Sequence, residues 1–299
     1  MTDGDSVSMI NPIGVHALVW VAGWSPEEAE YAAASTAAAG FDLLEIPLLD
    51  PATVDGSATA ALLERHHLRG ACSLGLSFDT DISSEETAKV AAGEKLLHAA
   101  LEVTDALGSP YLTGVIFSAM GKYTRPPTAA GAANSATVLR GLATAAAGRG
   151  ITLGLEAVNR YETNLVNTVA DALRHIEAIG EDNVVVHLDV YHANIEEGDL
   201  GRPVRLAGDR LGYVHVGESH RGYLGSGTID FAAFFRALVT ARYGGPITFE
   251  SFSSAVVSAE FAAALGVWRN LWEDSADLAG HARSFITDQL TAARRLATS

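Results

Sequence analysis

The chain has 299 residues, 48% of them hydrophobic, and carries 36 acidic against 20 basic side chains for a formal net charge of −16. That charge repels phosphate backbones and anionic membranes and so argues against nucleic-acid and membrane partners; no stretch reaches the ~20 apolar residues of a membrane span. One cysteine, Cys72, excludes an internal disulfide and a Cys-based zinc site.

Residues 1–12 read as a flexible tail. MTDGDSVSMINPIG has no basic stretch followed by an apolar run, so no signal peptide is expected and the expected location is the cytoplasm. Short apolar runs then alternate with Ala- and Leu-rich segments. Strands are expected at GVHALVW (14–20), DLLEIPL (42–48), GACSLGL (70–76) and YLTGVIF (111–117). Four more follow at ITLGLEA (151–157), NVVVHLD (183–189), LGYVHVG (211–217) and PITFES (246–251). Helices are expected between them, the first over 25–40 with Ser25 as its N-terminal cap and Gly40 at its C-terminus. The others fall at 51–67, 83–108, 128–150, 167–180, a short piece near 202–209, 230–244, and a long helical tail from about 255.

Eight strands each followed by a helix predict a single (β/α)8 TIM barrel with a C-terminal helical extension, as one domain over 1–299. A doubly wound sheet would want a G-x-G-x-x-G turn after its first strand, and VWVAGWS does not supply one.

In such a barrel, reactive groups gather at the C-terminal strand ends. Four late strands end in a side chain able to ligate metal: Glu156, Asp189, His215 and Glu250. Side chains alternate along a strand, so one residue per strand end can point to the barrel axis. An isolated acid at a strand end is more often a helix cap. Burying three carboxylates together, however, calls for a compensating cation. The oxygen-rich set with one imidazole suits Mn²⁺, Mg²⁺ or Co²⁺. On the residues alone, both the capping and the metal reading stay open. The loop GESHRGYLGSG (217–227) lacks the Walker ending, and its mixed donors and acceptors fit neutral polyol oxygens.

Together, GLEAVNRYETN, HLDVYHANIEE, YVHVGESHRGYLGSGTIDF and TFESFSS resemble the ketose 3-epimerases, a family of xylose-isomerase-like TIM barrels that includes D-tagatose, D-allulose (psicose) and L-ribulose 3-epimerases. GVHALVW, AGFDLLEIPLLDP, ISSEE and GVWRNLWED extend the similarity over nearly the whole chain. The resemblance implies a metal-dependent epimerisation of free ketoses at C3. It implies one divalent ion per subunit, Mn²⁺ first with Co²⁺ and Mg²⁺ as alternatives, held by Glu156, Asp189, His215 and Glu250. Glu162, His192 and Arg221 are implied as contacts to the O1–O3 end of the substrate. Glu156 and Glu250 are then the acid/base pair that removes the C3 proton and returns one to the other face through an enediolate. His16, Trp20, Phe117, Met120 and Phe252 are candidates for the C4–C6 pocket. His187 reads as an interior hydrogen-bonded residue, and Glu196 and Glu197 as a solvated or capping pair. Val190 and Ala193 depart from the family pattern beside His192.

The family associates as homodimers or homotetramers, and the same is expected here. An aldose–ketose isomerase or an inosose-type dehydratase would use the same metal barrel. A DNA-repair endonuclease would need more His ligands and a basic surface. A non-catalytic sugar-binding protein would not need the acid/base pair.

Overall fold

Strands buried on both faces show few polar residues, which is why these read as apolar runs. The computed structural model describes residues 11–298. Its strands are β1 (Ile13–His16), β2 (Leu43–Pro47), β3 (Arg69–Leu76), β4 (Tyr111–Ala119), β5 (Thr152–Ala157), β6 (Val184–Asp189), β7 (Leu211–Val216) and β8 (Ile247–Phe249). Each pairs in parallel with the next, and β8 closes on β1. The expected (β/α)8 barrel is the observed architecture.

The helices are α1 (Pro26–Ala38), α2 (Gly56–Arg65), α3 (Thr87–Leu107), α4 (Ala129–Ala147), α5 (Val169–Ile179), α6 (Val190–Glu196), α7 (Gly201–Ala207), α8 (Phe231–Thr240), α9 (Ala259–Leu265) and α10 (Ser275–Thr298). Ser25 caps α1 in a reciprocal box with Glu28, and Gly40 leaves the helix at φ 77°, where a side chain would be strained. Thr168 and Asp171 form the same box on α5. The face of α8 buries Phe231, Phe234 and Phe235, and α10 closes over it with the Phe285 ring 5.1 Å from Phe231. Each such ring contributes about 1.5–3 kcal/mol by leaving water.

Three boundaries differ from expectation. The segment 51–67 is a 3-10 turn at Pro51–Thr53 followed by α2, because Asp50 and Asp55 each cap a separate start. The tail from about 255 is two helices, not one, since Gly266 ends α9 in the left-handed region. Of the predicted flexible tail, residues 1–10 lie outside the described residues. Asn11 and Pro12 are held: Asn11 Nδ2 donates to the carbonyls of Tyr243 and Gly245, and Pro12 accepts from Ile247. Among the described residues no helix is long and apolar enough to cross a membrane.

Inside the barrel the alternation is visible in layers. Leu43, Ala71 and Tyr213, with Tyr111 against them, form an apolar floor. Two residues further along their strands stand Glu45, Ser73, His215 and Thr113, all buried. Thr113 Oγ1 lies 2.7 Å from His187 Nδ1. Gly154 leaves room for that contact, since a Cβ there would sit 2.5 Å from Thr113 Oγ1. The floor supports a polar layer, and the polar layer supports the site.

Candidate active site

The C-terminal mouth of the barrel opens into a cavity of about 270 Å³, the lower end of the range for small-molecule sites. Glu156, Glu162, His192, His215, Arg221 and Glu250 all line it. A larger space of about 590 Å³ lies at the opposite barrel end, beside Leu43 and Tyr111, with only Glu64, Arg69 and Tyr111 as ionisable lining. Chemistry belongs to the first.

Asp189 ends β6 and caps α6. Its Oδ1 accepts from the Tyr191 N–H at 2.6 Å, which fixes the carboxylate and leaves Oδ2 fully buried without a hydrogen-bond partner. His215, near the end of β7, has Nε2 2.8 Å from Glu45 Oε2, and its Nδ1 is likewise buried and unpartnered. That Nδ1 stands 3.6 Å from Glu156 Oε1, 3.6 Å from Glu250 Oε1 and 3.9 Å from Asp189 Oδ2. Four donor atoms thus face one point, two of them orphaned, at a large cost unless a cation sits between them. Three overlapping buried triads, Asp189–His215–Glu250, Glu156–His187–His215 and Glu156–Asp189–His192, each bring their donor atoms within 4.8 Å of one another, and donors of this kind fit a divalent ion.

The charges respond to this crowding. Burial would lower the pKa of His215, but the charges of Glu45 and Glu250 outweigh it and hold it well above the usual imidazole range. Burial would raise Glu250, yet His215, Arg221 and His16 draw it down to about 2. For Glu156 burial wins, helped by the Glu250 charge, and its carboxyl is pushed up.

The remaining predicted residues surround this centre. His192 lies on α6, a helix rather than a loop. Its Nδ1 accepts from Asn159 Nδ2 at 2.8 Å and the Asn159 N–H at 3.2 Å, so the proton is on Nε2, toward Asp189, Glu156 and Glu162 at 3.7–3.9 Å. Asn159 also holds Glu162 Oε1 at 2.9 Å. Arg221 adopts φ 63°, left-handed for a non-glycine residue. Its guanidinium sits over Tyr191 (3.9 Å) and Phe252 (4.7 Å) and bonds Glu250 Oε2 at 2.5 Å. Glu197 caps α5 at the Val169 N–H. Glu196 is not solvated: it grips Arg160 with both oxygens at 2.7–2.9 Å and pins the NRYE loop to α6. His187 is fully buried, with burial pushing its pKa well down, and packs edge-on at 4.1 Å against His215.

Of the five C4–C6 candidates, His16, Met120 and Phe252 line the cavity. Trp20 and Phe117 do not. After His16 the chain turns into a 3-10 helix at Ala17–Val19, which ends the strand alternation and sends Trp20 into the main core. In β4 the register against β3 jumps from Gly75↔Val115 to Leu76↔Ala119, and this irregularity turns Phe117 outward to the His175 ring at 6.3 Å. Among the further lining residues that escape sequence reasoning are Glu45, Ser73, Phe261 and Leu265. Glu45 had a signal, a lone acid in an apolar strand; Phe261 and Leu265 had none.

Comparison with known proteins follows the same lines. A family profile described as xylose isomerase-like TIM barrel matches residues 33–289. The chain is 49% identical over 284 residues to a ketose 3-epimerase of Arthrobacter globiformis, covering 95% of this chain and 98% of that one. It is 52% identical over 273 residues to an L-ribulose 3-epimerase of Methylomonas sp. (strain DH-1), covering 91% and 96%. The crystal structure of a Methylomonas sp. D-allulose 3-epimerase in complex with D-allulose superposes with a TM-score of 0.91 at 50% identity, over 93% of this chain and 97% of that one.

Proposed function

The chain belongs to the ketose 3-epimerases of the xylose isomerase-like TIM barrels, and from that premise we propose that it inverts C3 of free ketoses with Glu156 and Glu250 as its acid/base pair. It is an enzyme of the isomerase class. The substrates proposed are pairs such as D-fructose/D-allulose, D-tagatose/D-sorbose and L-ribulose/L-xylulose; relatives named for allulose and ribulose support the range.

One observation carries the reading. Glu156 comes from β5 and Glu250 from just beyond β8, strands three places apart around the barrel, yet each lies 3.6 Å from the same His215 nitrogen. A substrate bound over that nitrogen would lie within reach of both carboxylates. Deprotonation by one and reprotonation by the other inverts C3; the direction of turnover decides which acts first. A divalent ion held by Glu156, Asp189, His215 and Glu250, Mn²⁺ before Co²⁺ or Mg²⁺, would supply Lewis-acid stabilisation of the enediolate charge.

The other residues orient. The Nε2–H of His192 is a donor whose direction Asn159 sets. Glu162 offers Oε2 as an acceptor beside it, and Arg221 presents a planar donor fork across the cavity. Held together, the three fix the carbonyl end of the sugar. Leu18, Leu74, Leu76, Val115 and Met120 make the rest of the cavity wall largely apolar, which supports a loose grip on the far end and more than one accepted ketose. Self-association as a dimer or tetramer is part of the proposal, supported by the large apolar side chain of Trp268, just after α9, standing 77% exposed.

The test is turnover of D-allulose in deuterated water. Wild type should place deuterium at C3, and Glu156→Gln and Glu250→Gln should each lose at least about 10³-fold in kcat with unchanged circular dichroism. Deuterium at C1 would make the reaction an aldose–ketose isomerisation, and near-normal turnover in either variant would remove that residue from the pair.

A further inference from the structure

Glu45 takes no part in the chemistry above, yet it is a fully buried carboxylate facing the cavity. A buried carboxylate needs partners of matching strength. Its Oε2 receives two: the Tyr213 hydroxyl at 2.7 Å and His215 Nε2 at 2.8 Å. The Tyr213 hydroxyl also lies 2.9 Å from Thr248 Oγ1, so three strands, β2, β7 and β8, meet at this oxygen. The partners are 170 residues apart in the chain, and the barrel closure brings them together.

A carboxylate can only accept, so the Glu45 contact places a proton on His215 Nε2. Once a cation displaces the second proton, the lone pair is on Nδ1, the atom that faces Glu156, Asp189 and Glu250. The His187 ring packs against it, perpendicular at 4.1 Å. Had the proton been on Nδ1, a donor would point at the place where a cation's ligand is wanted.

We propose that Glu45 is the positioning residue of the metal centre: through its bond to His215 Nε2 it selects the imidazole tautomer and strengthens the Nδ1 lone pair that binds the cation. The inference rests on the divalent-ion reading of the site given above. A carboxylate behind a ligating histidine commonly alters metal affinity by roughly 10- to 100-fold when removed. His16 closes the other side of the same group: its Nδ1 accepts from the Leu18 N–H, which turns Nε2–H toward Ser73 Oγ at 3.3 Å and Glu45 Oε1 at 3.6 Å. Oε1 itself has no hydrogen-bond partner, so the bonds that hold the carboxylate are those on Oε2.

The experiment measures Mn²⁺ dissociation constants from the signal of the free ion, for wild type, Glu45→Gln, Glu45→Asp, His215→Ala and the double variant Glu45→Gln/His215→Ala. Glu45→Gln keeps the shape and loses the charge; Glu45→Asp keeps the charge and withdraws it from His215. Each is expected to weaken Mn²⁺ binding by roughly 10- to 100-fold. If Glu45 acts through His215, the double variant loses no more affinity than His215→Ala alone, which a purely structural role would not produce. Losses that add in full, or a Glu45→Gln with wild-type affinity, overturn the proposal while leaving the metal site standing. A wild type that takes up no Mn²⁺ overturns the metal reading and this one together.

Discussion

Removing one hydroxyl, Ser251→Ala, should loosen Arg221 without touching its side chain. Arg221 holds φ 63° against a backbone preference of about 1–2 kcal/mol, so something must keep it there. Its carbonyl accepts from Ser251 Oγ at 2.5 Å, and that hydroxyl in turn accepts from Trp272 Nε1 at 2.8 Å. Ser251 is fully buried and Trp272 nearly so. Alanine therefore deprives a carbonyl and an indole N–H of this partner in a dry setting, at about 1–3 kcal/mol each. Urea unfolding should show a loss of about 2–6 kcal/mol. Because the same bond sets where the guanidinium lies over Tyr191 and Phe252, KM for D-allulose should rise about tenfold for each 1.4 kcal/mol of lost substrate binding, with kcat falling less. Trp272→Phe removes one donor and leaves the Ser251–Arg221 bond, so its KM should lie between wild type and Ser251→Ala. An unfolding midpoint and a KM both at wild-type values for Ser251→Ala would refute this account of the Arg221 conformation.

Two further outcomes concern pH and metal. His175 is buried beside Ser135 Oγ at 2.9 Å, and burial lowers its pKa from 6.5 to about 4. The unfolded chain thus binds the proton more readily, so stability is complete above pH 6.5 and declines as pH falls toward 4, by at most about 3 kcal/mol. In His175→Phe that decline should shrink, as read from urea midpoints at pH 7 and pH 4.5; an unchanged decline would show that His175 binds its proton equally in the folded and unfolded chain. Chelation followed by Mn²⁺ at 100 times its dissociation constant should restore about 2.7 kcal/mol, raising Tm by about 4 °C for a chain of this size. No shift under any divalent ion would count against the four-donor centre.

What the sequence made legible follows from the two periods it can express. Parallel strands packed on both faces leave apolar runs, so all eight were visible to within a few residues. Glu156, Asp189, His215 and Glu250 were visible because a strand end offers one inward side chain, and these four stood out chemically. Trp20 and Phe117 were misplaced because a 3-10 turn and a register jump change which way a side chain faces, and neither leaves a mark in local composition. Glu45 stood in plain view as the one acid of LLEIP, but its partner is supplied by closure of the barrel. Nothing near 261–265 in the chain hints that Phe261 and Leu265 reach the cavity. Asn159, too, reads as one more polar loop residue until its contacts with His192 and Glu162 are seen.

The apolar wall at Phe261 and Leu265 has a consequence for how substrate range could change over generations. These two pack with Leu18, Phe252, Val257, Ala262 and Val267 in a small cluster separate from the main core. Substitutions there draw on a few local contacts and leave the large core undisturbed, and effects at distant sites tend to add independently. Selection can therefore reshape the α9 side of the cavity while the strands keep Glu156 and Glu250 where they are. Divergence in which sugar is accepted should concentrate in that short segment, and divergence in the chemistry should not.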